Sequence, residues 1–270
     1  MNAVAITDQD FDRFRELALR HAGIRMAASK KTLVETRLRK RLVARRLDSY
    51  REYLSVLGQP NESLELQTAI DLLTTNETSF FREPKHFQHL RDYALQCRQR
   101  SARFRVWSAA CSTGEEPFTA ALVLAETLGW SEWEVVASDL STKVLARART
   151  AHYSLDRAQG ISQDMLRKYC LKGVGKQTGT FLFDMPIRSR VQFHHGNLLE
   201  LAPKTLGHFD AIFLRNVMIY FDLPTKQKVI ANLLPSLRPG GMLYIGHSET
   251  LNGVCSDVEM LSPAIYRKPK

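Results

Sequence analysis

Cysteine is scarce and scattered: Cys97, Cys111, Cys170 and Cys255 form no C-x-x-C pair and have no histidine pair beside them. That spacing argues against a structural zinc or a disulfide framework and predicts reduced, ordinary thiols, so no metal is expected. Long apolar runs are missing as well. Nowhere do ~18 uncharged apolar residues follow one another, and Met1 to Asp12 holds three aspartates and no apolar stretch. Neither a membrane span nor a signal peptide is therefore expected, and the expected location is the cytoplasm. Internal repeats and low-complexity tracts are also lacking. Acidic residues are in deficit: 28 Asp and Glu against 38 Lys and Arg leave a formal charge of +10. An acidic partner follows, whether nucleic acid, anionic lipid or an acidic protein face. No aromatic-rich stacking strip accompanies the basic segment, which disfavours nucleic acid.

What is present divides the 270 residues in two. From Thr7 to about Leu73 the apolar spacing is helical, with Asp8 or Asp10 placed to cap a first helix carrying Phe11, Phe14, Leu17 and Ala18. Leu33, Leu38, Leu42 and Leu47 mark a second helix, Gly58, Pro60 and Asn61 break the pattern, and Leu64 to Leu73 forms a short helix. Between Lys30 and Arg51 nine cations, Lys30, Lys31, Arg37, Arg39, Lys40, Arg41, Arg45, Arg46 and Arg51, stand against only Glu35 and Asp48. After the polar stretch Thr74 to Ser79, a helix is predicted from about Pro84 to Arg100.

From Phe104 the texture becomes short β-type runs separated by helical stretches, the pattern of a parallel sheet with crossover helices. The predicted strands are Phe104–Ala109, Glu134–Ser138, Val191–His194, Phe209–Leu214, Met242–Gly246 and Ala264–Arg267. Pro239-Gly240-Gly241 reads as a tight turn before a strand. The segment from about Ser154 to Arg190 is too long for a plain connection, and Gly173, Gly175 and Gly179 before Thr180–Phe183 suggest a small inserted β element.

The chemistry concentrates where the first strand enters Ala110-Cys111-Ser112-Thr113-Gly114-Glu115-Glu116-Pro117. Small residues at a strand's carboxyl end let a ligand lie against the backbone. A phosphate site would keep the helix start free of acids. Two glutamates here instead suit a ligand with a sulfonium and an ammonium group, which favours S-adenosylmethionine over a dinucleotide; alternatively they only complement the helix dipole. Twenty-five residues beyond Gly114, Asp139 ends the second strand, placed either to accept hydrogen bonds from ribose hydroxyls or to cap the next helix near Ser141. Asn216 and Tyr220 follow the strand Phe209–Leu214 and reach the same carboxyl edge.

Five segments, L-L-T-T-N-E-T-S-F-F-R-E, V-W-S-A-A-C-S-T-G-E-E-P, A-S-D-L-S-T-K-V-L-A-R-A-R, F-D-A-I-F-L-R-N-V-M-I-Y-F-D and G-H-S-E-T-L, closely resemble, in order, the CheR family of glutamate O-methyltransferases that act on bacterial chemoreceptors. The resemblance implies an all-helical N-terminal receptor-recognition domain (1–75), an interdomain linker and helix (76–103), and an α/β class I, Rossmann-like SAM-binding domain (104–270) with a β-subdomain at about 154–190. It implies S-adenosylmethionine as cofactor and S-adenosylhomocysteine as product, with Asn76, Thr78, Arg82, Gly114, Glu116, Asp139, Asn197, Leu198, Arg215 and Asn216 holding the cofactor. On this reading the cofactor site is closed from the linker side and spans both domains. The family's receptor-binding surface falls on Arg39, Lys40 and Arg45. Gly173, Gly175 and Gly179 resemble the loop that docks a receptor's C-terminal pentapeptide. A monomer is expected, with no nucleic acid and no membrane insertion.

A glutamate side chain is ionised near neutral pH and needs no general base, which agrees with the lack of a convincing acid–base constellation around any histidine. Arg82, Arg215 and Tyr220 are the groups expected to shape the reacting pocket. The competing readings are a nucleic-acid methyltransferase and a cofactor-binding sensor without transfer activity.

Overall fold

A computed structural model of the chain describes residues 5–98, 103–200 and 206–270. Two compact units emerge: residues 1–75 with 220–225, and residues 76–219 with 226–270.

The first unit is helical. Helix α1 (Asp8–Ala22) is capped by Thr7, whose hydroxyl accepts the Asp10 N–H at 3.0 Å, so the capping role predicted for Asp8 or Asp10 falls one residue earlier. Gly23, at φ 69°, ends it. Helix α2 (Lys31–Arg45) buries Val34, Leu38 and Leu42, spaced four apart as one helical stripe requires. Leu38 and Leu42 are thus on the predicted face, Val34 takes the place given to the half-buried Leu33, and Leu47 packs on the core from beyond the helix end. Helices α3 (Tyr50–Leu57) and α4 (Ser63–Leu73) complete the core around Phe14, Tyr50 and Tyr53.

Inside this core Glu65 is held by a two-pronged Arg41 fork, Nε to Oε1 at 2.8 Å and Nη2 to Oε2 at 2.6 Å, and accepts the Tyr53 hydroxyl at 2.7 Å. The Arg41 bond holds its carboxyl below the ordinary value despite burial. Because the folded pKa lies below the unfolded one, this stabilisation is complete above the unfolded value and is lost as pH falls through the folded one. Glu65→Gln should cost ~2 kcal/mol near neutral pH. The gap to wild type should close as pH drops below about 4, measured by urea unfolding across pH. An unchanged gap at low pH would contradict this linkage.

The second unit begins with helix α5 (Pro84–Cys97), which the sequence treats as part of an interdomain linker. Its Phe87, Leu90, Tyr93 and Ala94 belong instead to the core of this unit, and Phe87 stacks on Phe213 at 5.5 Å. The predicted continuation to Arg100 runs outside the described residues. Then follow β1 (Phe104–Ser108), α6 (Glu115–Leu128), β2 (Trp133–Asp139), α7 (Thr142–Thr150), β3 (His152–Ser154), α8 (Gln163–Tyr169), β4 (Cys170–Lys172), β5 (Thr180–Phe183), α9 (Met185–Arg188), β6 (Val191–His195), β7 (Phe209–Leu214), α10 (Leu223–Leu233), β8 (Leu237–Ile245), β9 (Glu259–Ser262) and β10 (Ile265–Arg267).

Seven strands form one sheet in the order β6-β2-β1-β7-β8-β10-β9, with β10 antiparallel to both neighbours. The chain order reverses between β1 and β7, the switch point at which open α/β sheets bind ligands outside the carboxyl ends of their strands. Pro239-Gly240-Gly241 is not a turn preceding a strand. It lies within β8, where Gly240 at φ 75° donates its N–H to the Lys268 carbonyl and the register against β7 slips. Strands β3, β5 and β4 make a separate small sheet, so the inserted element begins before residue 154, at His152. No helix among the described residues is long and apolar enough to cross a membrane.

Candidate active site

The corner after β1 is built on backbone that only particular residues tolerate. Gly114, the N-cap of α6, sits at φ 98°. A Cβ there would come within 2.7 Å of the Tyr153 hydroxyl and 3.0 Å of the Ala148 Cβ. Tyr153 is held in place by donating to the Thr113 carbonyl at 2.7 Å. Ser112, at φ 49°, donates its N–H to Asp139 Oδ2 at 2.8 Å and its hydroxyl to the Asn76 carbonyl at 2.7 Å. Asp139 Oδ1 accepts the Ser141 N–H at 2.9 Å, so Asp139 braces the corner and organises the start of α7 together. Burial, with Asp139 and Glu116 close by, pushes the Cys111 thiol well above its ordinary value and removes it as a nucleophile.

The two glutamates of the corner diverge. Glu115 is fully buried, ion-paired with Arg157 and bonded by the Thr113 hydroxyl at 2.7 Å. Arg157 also reaches the Thr78 carbonyl at 3.2 Å, so this pair stitches segment 76–83 to the insert. Glu116 turns towards the strand ends, accepting the Ser108 hydroxyl at 2.7 Å and Arg215 Nη1 at 2.9 Å.

Arg215 is the hub. With a side chain 2% exposed, it binds Glu116, Glu83 at 3.0 Å and the Arg82 carbonyl, and its guanidinium lies 5.4 Å from the Phe87 ring. Phe81 (φ 53°) and Glu83 (φ 56°) flank Arg82 in the left-handed region, and Asn216 (φ 57°) follows Arg215. Non-glycine residues in that region cost of order 1–3 kcal/mol each and collect where surrounding structure holds a functional geometry. Burial alone would raise the Glu83 carboxyl, but the Arg215 charge, with the Asn216 amide at 3.2 Å, holds it below its ordinary value. Two carboxylates thus share one guanidinium, leaving an excess of one negative charge beside the Gly114 corner. Such a site attracts a cation and repels a pyrophosphate.

Glu249 fastens the neighbouring edge. Its carboxylate accepts N–H groups from Gly246 (2.6 Å), Asn216 (3.0 Å) and Ile219 (3.2 Å), tying the loop after β7 to the loop after β8. Sequence reasoning assigned no role to Glu83, Ser108, Arg157 or Glu249. Glu83, Ser108 and Glu249 each lie within one of the five motif segments, whereas Arg157 lies in none of them.

The other predicted residues are distributed unevenly. Asn76 meets the corner through its carbonyl, Thr78 meets Arg157 of the insert through its own, and the Arg82 guanidinium donates to the Glu77 carbonyl at 3.0 Å. All of segment 76–83 belongs to the unit that carries the sheet, so closure of the corner from the linker side is internal to that unit. Asn197 and Leu198 line a different feature, a cavity of about 350 Å³ on the sheet face with Trp107, Ser138, His194 and Asn232. Gly114, Glu116 and Asp139 do not line it. The two places join where the Gly196 N–H donates to the Asp139 carbonyl at 3.1 Å. Tyr220 belongs to the helical unit, where its carbonyl accepts the Arg25 N–H at 2.8 Å. Gly173, Gly175 and Gly179 occupy the loop joining β4 to β5, the last two at φ 57° and 84°. Of the basic residues, Arg39 pairs with Glu35 and Arg45 with Glu62, whereas Lys40 makes no ion pair among the described residues.

Residues 76–266 match the family described as CheR methyltransferase, SAM binding domain, and residues 9–74 match its all-alpha domain. The chain is similar to the chemotaxis protein methyltransferase of Salmonella typhimurium, 40% identical over 99% of this chain and 92% of that protein. The Escherichia coli protein of the same name is 41% identical over 99% of this chain and 93% of its own length. Chemotaxis protein methyltransferase 2 of Pseudomonas aeruginosa is 40% identical over 96% and 93% respectively.

Proposed function

Since this chain belongs to the CheR methyltransferase family, we propose that it carries the methyl group of S-adenosylmethionine to glutamate side chains on the cytoplasmic helices of chemoreceptors, forming γ-methyl esters in sensory adaptation. The observation that carries this reading is the pair Glu83 and Glu116 around the single buried Arg215, set beside the Gly114 corner. The net negative charge suits the sulfonium and the ammonium group of the cofactor. Asp139 takes the ribose, the cavity edge at Asn197 and Leu198 takes the adenine, and Asn76, Thr78, Arg82 and Asn216 close the site.

The acceptor glutamate arrives ionised. Its oxygen attacks the methyl carbon in line with sulfur, the C–S bond breaks as the O–C bond forms, and the electron pair stays on sulfur. No proton moves, so the protein's task is alignment and exclusion of water. Arg82 and Arg215 shape the pocket, with Arg215 acting through the carboxylates it positions.

The helical unit supplies receptor recognition, and the protein works as a cytoplasmic monomer, which sedimentation of the purified chain checks. Arg45 is tied to Glu62 and the more exposed Arg39 to Glu35, so reversing Arg45 disturbs the fold more than reversing Arg39. Arg39→Glu with Lys40→Glu is the cleaner test. Receptor methylation should fall by about tenfold or more, loss of two attractive charges becoming gain of two repulsive ones. Cofactor affinity should be unchanged by calorimetry. A normal methylation rate, or label passing from methyl-labelled cofactor to DNA rather than receptor, would refute the assignment. The β4–β5 loop, with Gly173, Gly175 and Gly179, is the proposed dock for a receptor's C-terminal pentapeptide, adding a strand to a short sheet edge. Titration with such a peptide should show saturable binding, and its absence would remove this contact.

A further inference from the structure

One cluster beside Arg215 shares Glu83 with the chemistry above and adds two histidines that have no part in it. His86, on the first turn of α5, is completely buried, and neither of its ring nitrogens has a hydrogen-bond partner. A buried imidazole left without partners costs free energy, and such a group calls for a ligand or ion. Its Nδ1 lies 3.4 Å from Glu83 Oε2, and His247 Nε2, on the loop after β8, lies 4.0 Å from the same oxygen. One donor atom from each of the three residues falls within 4.8 Å of the others.

We propose that Glu83, His86 and His247 form a binding site for a divalent transition-metal ion of the zinc type. Three donors around Zn²⁺ at about 2.0–2.2 Å sit roughly 3.4 Å apart, so His86 and Glu83 already have that spacing. His247, with a side chain 49% exposed, has room to turn and close the remaining gap. Two imidazoles and one carboxylate select zinc, nickel or copper over magnesium or calcium, which prefer oxygen. The exposed side of His247 leaves the fourth position to water. The carboxylate is preset: Oε1 accepts the Asn216 amide at 3.2 Å and the His247 N–H at 3.3 Å, which fixes the orientation of Oε2. Arg215 opposes the ion because it also uses Oε2, but it keeps Glu116 and the Arg82 carbonyl as alternative partners. Metal binding therefore shifts Arg215 towards Glu116 and slows methyl transfer. That last consequence rests on the proposed function; the site itself does not.

Titration of Zn²⁺ into the purified full chain, followed by calorimetry, reads the site directly, and Co²⁺ substitution adds a visible absorption from a site of low coordination number. One saturable equivalent is expected. His247→Ala, an exposed change that leaves the fold intact, should weaken it by about tenfold or more and abolish the cobalt band. His86→Gln, checked for folding by circular dichroism, should do the same. Failure to bind one equivalent, or binding unaltered in His247→Ala, would overturn the proposal whatever the methylation assay shows.

Discussion

Arg215→Met is expected to lower methyl transfer by about a hundredfold or more, the scale on which loss of a preorganised charge is felt. It should also cost ~3–5 kcal/mol of stability, because removing one partner of a buried ion pair strands the others. Methionine approximates the length of the side chain but removes the donors to Glu83, Glu116 and the Arg82 carbonyl. The two carboxylates then face each other beside Phe87 and Phe213, and the left-handed turn through Phe81 and Glu83 loses the bond that closes it. Arg215→Lys retains the charge without the fork and should fall between the two. Initial rates with receptor fragment and urea unfolding separate the effects. A methionine variant with wild-type rate would show that the Glu83–Arg215–Glu116 cluster is only scaffolding.

Gly114→Val should reduce cofactor affinity by about tenfold or more and stability by ~2–3 kcal/mol. The backbone at φ 98° disfavours any side chain, and this one must displace Tyr153 or Ala148. Moving Tyr153 releases the Thr113 carbonyl, and the disturbance passes to Ser112 and its bond with Asp139. Gly253→Ala provides the control: φ is 71° there, with nothing within 4 Å of the added Cβ. It should lose some stability and no cofactor affinity, measured by calorimetry with S-adenosylmethionine. Equal affinity in Gly114→Val and wild type would place the cofactor elsewhere.

The central parallel strands were legible because they are buried on both faces and rich in apolar residues, as in Phe209–Leu214. Strand β9 was not: Glu259-Met260-Leu261-Ser262 is largely exposed and has no periodicity to find. Pro239-Gly240-Gly241 misled because those residues signal a turn locally, whereas here the Lys268 backbone holds them inside a strand. At the site, the Gly114 corner and Asp139 announced themselves by their position after strands. Whether Glu115 or Glu116 faces the ligand could not be read from adjacent identical residues. Arg157, 42 positions away in the insert, turns Glu115 inward. Glu83 was hidden for a related reason, since its partner Arg215 is 132 residues distant and only folding brings the two together.

The most direct test uses cofactor labelled in its methyl group, wild-type protein and a chemoreceptor cytoplasmic fragment. Methylation of glutamate carboxylates predicts that mild base releases the label quantitatively as methanol, and that replacing the acceptor glutamates with alanine prevents its incorporation. Label that resists base, or that enters the alanine-substituted fragment equally well, would contradict carboxyl transfer to glutamate.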